Sequence, residues 1–200
     1  MKVIGITGPT GAGKTTALKV LSALGAAVAD ADEVYHTLLT ENAEMKAGLV
    51  SAFGENILDK RGKIDRKKLS QAVYPDRLEE LNAITHPYVV ERMGQLLSLA
   101  EAEGKPIFAI DAIALMESGL SRWCDETVAV LAPEELRLRR IMVRDNIDEA
   151  YARRRMDHQK PEEFYRERCS RVLENSVEDT PEEFERRALE LFRGIVDGSL

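Results

Sequence analysis

The chain has 200 residues, 44% hydrophobic and 32% charged, and its 28 basic and 35 acidic side chains give a net charge of −7. This apolar content excludes a mainly disordered chain, and the length suits one core domain with an inserted or appended piece. The negative charge excludes a chain-wide electrostatic match to nucleic acid or to an anionic membrane, so an anionic ligand needs a local basic patch.

The first predicted element is a strand at Lys2–Thr7, an apolar run rich in β-branched residues that stops at a Gly-Pro pair. Apolar residues at helical spacing predict a helix over Lys14–Leu24, with Gly25 just after its end. Four further apolar runs predict strands: Ala26–Ala29, Ile107–Ile110, Thr127–Leu131 and Arg171–Asn175. Strands that alternate with helices predict an α/β fold with a parallel, about five-stranded sheet covered by helices on both faces.

The segment Gly8–Thr15 matches the pattern G-x-x-x-x-G-K-[ST] between the first strand and the first helix, the context of a Walker A loop. Glycines let successive N–H groups turn towards a phosphate, and the helix N-terminus adds partial positive charge. Lys14 would bridge the β- and γ-phosphates, and the Thr15 hydroxyl would bind Mg²⁺. The residues expected to bind the nucleotide here are Gly8, Gly11, Ala12, Gly13, Lys14, Thr15 and Thr16. A glycine-rich turn without a ligand is the alternative.

ATP is favoured over GTP because the chain lacks the base-reading motif of GTPases. Switch-type GTPases usually carry Asn-Lys-x-Asp, and none of the five asparagines in this chain is followed by Lys, which favours ATP. The segment Asp59–Gly62 matches the D-x-x-G pattern of such switches, but it follows no buried strand. A plain turn is the favoured interpretation there.

Two carboxylates, Asp30 and Asp32, follow the second predicted strand. In an extended segment they would point the same way at the carboxyl edge of the sheet, where ligands of open α/β sheets bind. One of them would then orient an acceptor hydroxyl and take its proton. Helix capping by Asp32, ahead of a helix at Glu33–Leu39, is the alternative. Asp111 ends another strand, either as a Walker B-like acid or as the start of a turn.

The stretch between Glu33 and Gly104 carries helical patterns and no strand signal. It is too long for an ordinary crossover, whose connections take about 2–6 residues plus one helix. We therefore expect a core of residues 1–32 and 105–200 with a helical insertion at 33–104. Within the insertion, Pro87 predicts a helix boundary near His86.

A second helical stretch runs from Pro133 to about Glu167 and is interrupted at Pro161. Between Arg137 and Arg171, eleven basic residues outnumber seven acidic ones. Three arginines share one face of the first helix in this stretch: Arg137, Arg140 and Arg144. Guanidinium groups bind phosphate oxygens bidentately, so this face suits a polyphosphate. The alternative is a solvated face, paired with Glu134, Glu135 and Asp145.

Taken together, these segments resemble the dephospho-CoA kinase family over nearly the whole chain. The matching segments, in the family's order, are Thr7–Thr16, Asp30–Asp32, Asn82–Pro87, Asp111–Glu117, Cys124–Asp125, Arg140–Asp145, Arg155–Gln159 and Val172–Asn175. The resemblance implies a P-loop kinase core, a helical acceptor-binding insertion and an arginine-bearing lid at about 141–167. It also implies phosphorylation of the ribose 3′-hydroxyl of dephospho-CoA by ATP with Mg²⁺, the final step of coenzyme A biosynthesis.

The resemblance implies roles for single residues as well. Asp32 would be the base that faces the 3′-hydroxyl, and Lys14 and Arg140 would also take part in catalysis. The resemblance also implies Arg144 near ATP, and His86, Asp111 and Arg155 at the acceptor. Arg155 and Gln159 would be contributed by the lid, and Asn82 would lie four residues before His86 on a helix that lines the acceptor pocket. The chain departs from the family at Ile113, where Pro is usual, and at Ser170, where Asp is usual. Both departures predict an altered acceptor-side loop.

Two alternatives to this function stay open: another nucleoside or nucleoside monophosphate kinase, and a nucleotide-binding regulatory protein. Cys124 and Cys169 lie far apart in sequence, which disfavours a zinc site and a disulfide scaffold and fits a reducing compartment. The N-terminal segment reaches Gly and Pro before a signal-peptide core, and no apolar run approaches about 18 residues. We expect a cytoplasmic protein with a small-molecule partner and with neither nucleic acid nor membrane.

Overall fold

The computed structural model describes residues 1–176 and 179–199. Its strands are β1 Lys2–Thr7, β2 Ala27–Asp30, β3 Ile107–Asp111, β4 Glu126–Leu131 and β5 Arg171–Glu174. Its α-helices are α1 Lys14–Ala23, α2 Ala31–Glu41, α3 Ala43–Phe53, α4 Arg66–Val73, α5 Leu78–Ala102, α6 Glu134–Asp145, α7 Glu149–Asp157, α8 Glu162–Arg168 and α9 Pro181–Asp197. None of the helices in the described ranges is long and apolar enough to span a membrane.

The five strands form one sheet in the order β2-β3-β1-β4-β5. Strand β1 pairs in parallel with β3 and β4, and β4 pairs in parallel with β5. The carboxyl ends of these strands therefore meet at one edge, and the Walker A segment follows β1 at that edge. The predicted parallel five-stranded sheet is confirmed.

Side chains of β4 alternate between two layers of helices. Val128 and Val130 belong to a buried cluster that includes α1 and α9, in which Phe192 is fully buried. Ala129 and Leu131 pack instead with Tyr165 of α8. Because successive side chains of a strand point to opposite faces, helices cover both faces of the sheet, as predicted. Full burial of a side chain such as Phe192 stabilises the fold by roughly 1.5–3 kcal/mol.

The chain divides into two units, Met1–Ala29 with Ala100–Leu200, and Asp30–Leu99. The second unit is helical and has its own core, formed by Leu39, Met45, Leu49, Phe53, Ile57, Leu69 and Val73. The boundaries predicted at 32/33 and 104/105, and the role of the insertion, stay predictions.

The Asp59–Gly62 segment forms a plain turn, which is the interpretation favoured above over a D-x-x-G switch. The Gly62 N–H donates to the Asp59 carbonyl oxygen at 3.0 Å. The Asp59 carboxylate accepts from the N–H groups of Arg61 and Lys63, at 2.8 and 2.9 Å. These hydrogen bonds occupy the side chain within the turn, as in an Asx turn.

Pro87 does not end a helix, and the boundary predicted near His86 is wrong. Both residues lie inside α5, Leu78–Ala102. An interior proline removes one backbone hydrogen bond and crowds the preceding turn, at a cost of about 3 kcal/mol. Thr85 and Val89, on either side of the proline, are both buried. We infer that packing of this face stabilises the helix enough to carry it through the proline.

Candidate functional site

The Gly8–Thr15 segment, here called the Walker loop, joins β1 to α1 in the predicted context. Its glycines have φ angles that favour glycine: 133° at Gly8, 83° at Gly11 and 114° at Gly13. A Cβ added at Gly8 would overlap the backbone carbonyl of Val130, and one at Gly13 would lie 2.6 Å from Nδ2 of Asn175. Backbone angle and close contact therefore both require glycine at these positions.

The amino end of α1 suits an anion. Gly13 is its N-cap and contributes no side-chain hydrogen bond, and the first turn contains no acidic residue. Within the described ranges, the N–H groups of Gly11, Gly13 and Thr15 donate no hydrogen bond. These groups and the helix dipole fit phosphate oxygens, and the exposed Thr15 side chain can join the ligand shell of a phosphate-bound Mg²⁺.

The Lys14 ammonium folds back onto its own loop. Its Nζ donates to the carbonyl oxygen of Gly8 at 2.8 Å and lies 3.5 Å from that of Pro9. The positive charge is thus held beside the same segment that presents the N–H groups. This arrangement fits the predicted bridge between the β- and γ-phosphates.

Two arginines of α6 donate to carbonyl oxygens of the Walker loop. Nε of Arg137 lies 3.1 Å from the oxygen of Thr10, and Nη1 of Arg140 lies 3.2 Å from the oxygen of Gly11. Burial lowers the pKa of both guanidinium groups, which nevertheless stay charged because an arginine pKa lies far above 7. Leu138 and Ile141, on another face of α6, are buried.

Asn175 supports the Walker loop through hydrogen bonds, and this role was not predicted from the sequence. It directly follows β5 and is buried, and its Nδ2 donates to the carbonyl oxygen of Ala12 at 3.0 Å. Its Oδ1 accepts from Nη2 of Arg140 at 3.3 Å. Its position was the available signal: a polar residue at the carboxyl end of a predicted strand lies where ligands of parallel sheets bind, so Asn175 could have been named as a candidate site residue.

Gln159, from the predicted lid segment, also contacts the Walker loop. Its Oε1 accepts from Nη2 of Arg137 at 2.8 Å and from the Thr10 N–H at 3.2 Å. Its Nε2 donates to the Thr10 hydroxyl at 2.6 Å. The side chain therefore bridges one of the arginines of α6 and the first half of the loop.

Arg144 and Arg155 meet at a carboxylate and not at the Walker loop. Arg144 donates to Asp145 through Nε at 2.7 Å and Nη2 at 3.0 Å, and Arg155 donates to the same carboxylate at 2.5 Å. The hydrogen bond from Arg144, with help from Arg155, lowers the pKa of Asp145 to about 2. Arg144 and Asp145 thus form the ion pair expected for a solvated face, and the place of Arg144 near ATP stays a prediction. Among the described residues, Glu134 and Glu135 form ion pairs with Arg153 and not with Arg137, Arg140 or Arg144.

Asp111 ends β3 on the strand next to the one that precedes the Walker loop. It is half-buried and lies beside Ile6 of β1 in the sheet register. The Thr7 hydroxyl donates to the carbonyl oxygen of Ile113 at 3.2 Å, so the segment after β3 is anchored to the end of β1. This position is compatible with a Walker B-like acid, and its role stays a prediction.

Ser170 lies at the opposite ends of the strands from the Walker loop, where β4 and β5 begin. Its hydroxyl accepts from the Thr127 N–H at 2.9 Å and donates to the Glu126 carboxylate at 2.5 Å, next to the amino end of β4. This position is away from the carboxyl ends of the strands, where ligands of such sheets bind, and the effect of Ser170 on an acceptor-side loop stays a prediction. Ser170 joins the beginnings of β4 and β5.

In the second unit, Asp30 and not Asp32 caps α2. The Asp30 carboxylate accepts from the N–H groups of Asp32 and Glu33, at 2.8 and 3.1 Å. The predicted extended segment with two parallel carboxylates is wrong, because α2 already begins at Ala31. Asp32 lies exposed in the first helical turn. His86 is half-buried in α5, one turn after Asn82, and its acceptor role stays a prediction.

The two cysteines, Cys124 and Cys169, are free thiols. Burial raises the pKa of Cys124 to about 12 and that of Cys169 to about 11. Both thiols therefore stay protonated at neutral pH, which is unsuitable for a nucleophile.

The sequence profile described as dephospho-CoA kinase matches residues 2–180 of the chain. A dephospho-CoA kinase from Salinibacter ruber is 35% identical over 200 residues, which cover 99% of this chain and 100% of that protein. One from Geobacter sulfurreducens is 35% identical over 194 residues, covering 96% and 98%. A solved dephospho-CoA kinase from Campylobacter jejuni has a TM-score of 0.71 and 27% identity, with full coverage of both chains. A shikimate kinase from Acinetobacter baumannii, with a TM-score of 0.55, 17% identity and coverage of 100% and 96%, shares the fold.

Proposed function

Because the chain belongs to the dephospho-CoA kinase family, we propose that it transfers the γ-phosphate of ATP to the ribose 3′-hydroxyl of dephospho-CoA, giving CoA and ADP. The observation that carries this proposal is a complete Walker loop, braced by Arg137, Arg140 and Asn175, in a chain similar to these kinases over its whole length. The partner is a small molecule, and the setting is the cytoplasm.

ATP binding is assigned to the Walker loop. The N–H groups of the loop would hold the β-phosphate, and Lys14 would balance the charge between the β- and γ-phosphates. Thr15 would hold Mg²⁺, which when bound neutralises charge on the phosphate oxygens. Arg140 keeps a positive charge at the carbonyl of Gly11, from where we expect it to stabilise charge developing on the transferred group.

Asp32 is proposed as the group that faces the acceptor. Asp30 already supplies the cap of α2, so the exposed Asp32 carboxylate is not needed there. It would accept the 3′-hydroxyl proton as the ribose oxygen bonds to the γ-phosphorus and the bond to the oxygen of ADP breaks. Phosphoryl transfer through a loose transition state asks little of a base, so Lys14 should matter at least as much. His86, Asp111 and Arg155 are proposed to contact the acceptor, and Arg144 to lie near ATP.

The test is ADP release by the purified protein from ATP and Mg²⁺, with dephospho-CoA, adenosine, AMP, CMP and uridine offered separately. We expect stimulation by dephospho-CoA and little by the others. A different preferred acceptor would replace the substrate assignment with another small-molecule kinase. Binding of ATP without ADP release under any acceptor would favour the regulatory alternative.

Two variants test the assigned residues. Lys14→Ala should abolish measurable turnover, and Asp32→Asn should lower kcat more than it weakens ATP binding. Glu33→Gln, an exposed neighbour in the same helical turn, is the matched control and should leave kcat unchanged. An Asp32→Asn protein with the control's kcat would remove Asp32 from the mechanism.

A further inference from the structure

A contact between a cation and an imidazole joins two helices of the second unit. Nη2 of Arg66 lies 2.8 Å from Nε2 of His36. Arg66 is the first residue of α4, and His36 lies on α2, one turn after Asp32. Residues four apart lie on the same face of a helix, so Asp32 and His36 share a face of α2.

The chemistry of the two groups determines the direction of this hydrogen bond. A guanidinium can only donate, so Nε2 of His36 accepts and the imidazole is neutral with its proton on Nδ1. Burial, followed by the nearby Arg66 charge, lowers the pKa of His36, against the opposing effect of Asp32 and Asp30. Nδ1 is itself buried and has no hydrogen-bond partner in the described part of the chain. The imidazole therefore orients Arg66 and offers no donor to solvent.

Arg66 forms no ion pair with a carboxylate among the residues that the structure describes. The residue is exposed, and the ion pairs of residues 1–176 and 179–199 do not include it, whereas Arg77 of the same unit pairs with Glu80. Asp65 accepts from the N–H groups of Lys67 and Lys68 at 2.9 and 3.1 Å, which fixes the start of α4. The guanidinium is thus an oriented and solvent-facing cation.

We propose that Arg66, oriented by His36, binds the diphosphate of the acceptor. This inference rests on the proposed function and names the part of dephospho-CoA that the second unit recognises. In that molecule only the ribose separates the 3′-hydroxyl from the 5′-linked diphosphate, and Asp32 and His36 are four residues apart on α2, a rise of about 6 Å along the helix. The planar fork of arginine matches two phosphate oxygens. Arg66 is the binding group, and His36 is a positioning residue.

The experiment compares Arg66→Gln with the wild-type protein on two acceptors. Loss of a charged hydrogen-bonding pair should raise the KM for dephospho-CoA about tenfold and leave the KM for ATP unchanged. With adenosine, which has no diphosphate, kcat/KM should be the same in both proteins. Arg61→Gln, an exposed arginine of the same unit, is the matched control and should behave as wild type. Equal KM values for dephospho-CoA in Arg66→Gln and Arg61→Gln would overturn the proposal. An equal fall in kcat/KM for adenosine and for dephospho-CoA in Arg66→Gln would overturn it as well.

Variants of His36 test the positioning role. His36→Gln keeps an oxygen that can accept from Arg66 and should retain most of the affinity, whereas His36→Leu should raise the KM for dephospho-CoA without changing kcat. Arg66→Lys keeps the charge without the fork and should fall between wild type and Arg66→Gln, which guards against a folding defect in one variant. Identical KM values in both His36 variants would remove His36 from the proposal.

Calorimetric binding of dephospho-CoA separates this inference from the proposed function. A wild-type protein that binds dephospho-CoA but releases no ADP would contradict the function, and weaker binding by Arg66→Gln would still support the site. A wild-type protein that releases ADP, with equal dephospho-CoA affinity in Arg66→Gln, would contradict the site alone.

Discussion

Single glycines determine the shape of the Walker loop, and Gly13 combines two constraints. Its φ of 114° strains any other residue, and an added Cβ would lie 2.6 Å from Nδ2 of Asn175. We expect Gly13→Ala to lower the free energy of unfolding by more than the roughly 1–2 kcal/mol of backbone strain alone, and to weaken ATP binding. Urea unfolding and ATP titration measure the two effects.

Gly62→Ala is the control for Gly13→Ala. Gly62 also has a positive φ, 72°, but an added Cβ there would meet no atom within 4 Å. It should therefore show the backbone strain alone and leave ATP binding unchanged. Equal losses of stability in the two variants would mean that the contact with Asn175 is unimportant.

His36 should make stability depend on pH. Its pKa in the folded protein lies below the ordinary value of 6.5, because burial and Arg66 oppose the charged form. The groups that face it are Arg66, Asp32 and Asp30. The unfolded state therefore binds more protons near pH 6, so the stabilising effect is present above about pH 6.5 and is lost as the pH falls through the folded pKa. Unfolding midpoints of wild type and His36→Gln between pH 5 and 8 should converge on the acid side, and parallel curves would contradict this.

Lys14 and Thr15 could be placed in a Walker loop from the sequence alone, because they stand in one contiguous pattern with a physical meaning. The contacts of Asn175 and Gln159 with the loop could not be predicted in this way, because the pairs Asn175–Ala12 and Gln159–Thr10 are 163 and 149 residues apart in sequence. No role was predicted for Asn175, and Gln159 was named only through the family resemblance. A polar side chain at the end of a strand has many possible partners. Only the folded sheet determines which carbonyl oxygen it meets.

At the scale of elements, strand positions were predictable and helix ends less so. Strands are short apolar runs bounded by turn residues, whereas helix ends depend on capping and on packing. Asp30 caps α2 two residues before the predicted cap at Asp32. Pro87 lies inside α5, where Thr85 and Val89 on either side of it are buried. Local propensity fails at these points where tertiary contacts outweigh it.

The junction of β5, α6 and the Walker loop can be weakened at one atom. Asn175→Asp keeps an oxygen for Arg140 and removes the N–H that donates to the carbonyl oxygen of Ala12. We expect a several-fold higher KM for ATP and a loss of about 1–3 kcal/mol in unfolding free energy, because a buried acceptor loses its donor. Steady-state kinetics and denaturation measure both.

Asn42→Asp is the matched substitution. The Asn42 side chain caps α3 by accepting from the Met45 N–H at 2.8 Å, a role that Asp fills equally well. Wild-type kinetics and stability are expected for it. The same values in Asn175→Asp would show that the hydrogen bond to Ala12 has no part in shaping the loop.

For the whole molecule, the alternation of strands and helices was enough to predict the sheet. The absence of strand signals between Glu33 and Gly104 predicted a helical insertion, and the second unit is helical. The function of that unit does not follow from the helical spacing of its apolar residues, because this spacing indicates which side chains are buried and not which ligand is bound. It depends on which exposed charges the helices bring together.

The two units should respond to different ligands in hydrogen exchange. A non-hydrolysable ATP analogue should protect amides of the Walker loop and α1, whereas dephospho-CoA should protect amides of α2 and α4 in the second unit. Exchange measured by mass spectrometry with each ligand separately gives the comparison. Protection by dephospho-CoA confined to the first unit would contradict the assignment of the acceptor to the insertion.

The hydrogen bonds from Arg137 and Arg140 to the Walker loop have a consequence for inhibitor design. A guanidinium that swings towards a phosphate and gives up its hydrogen bond to Thr10 or Gly11 gains only the difference between two sets of hydrogen bonds, and the loop loses a support. A guanidinium that keeps this bond can still offer its remaining N–H groups to a phosphate. A compact anion that leaves both arginines in place should therefore gain more affinity per atom than one that pulls them away from the loop.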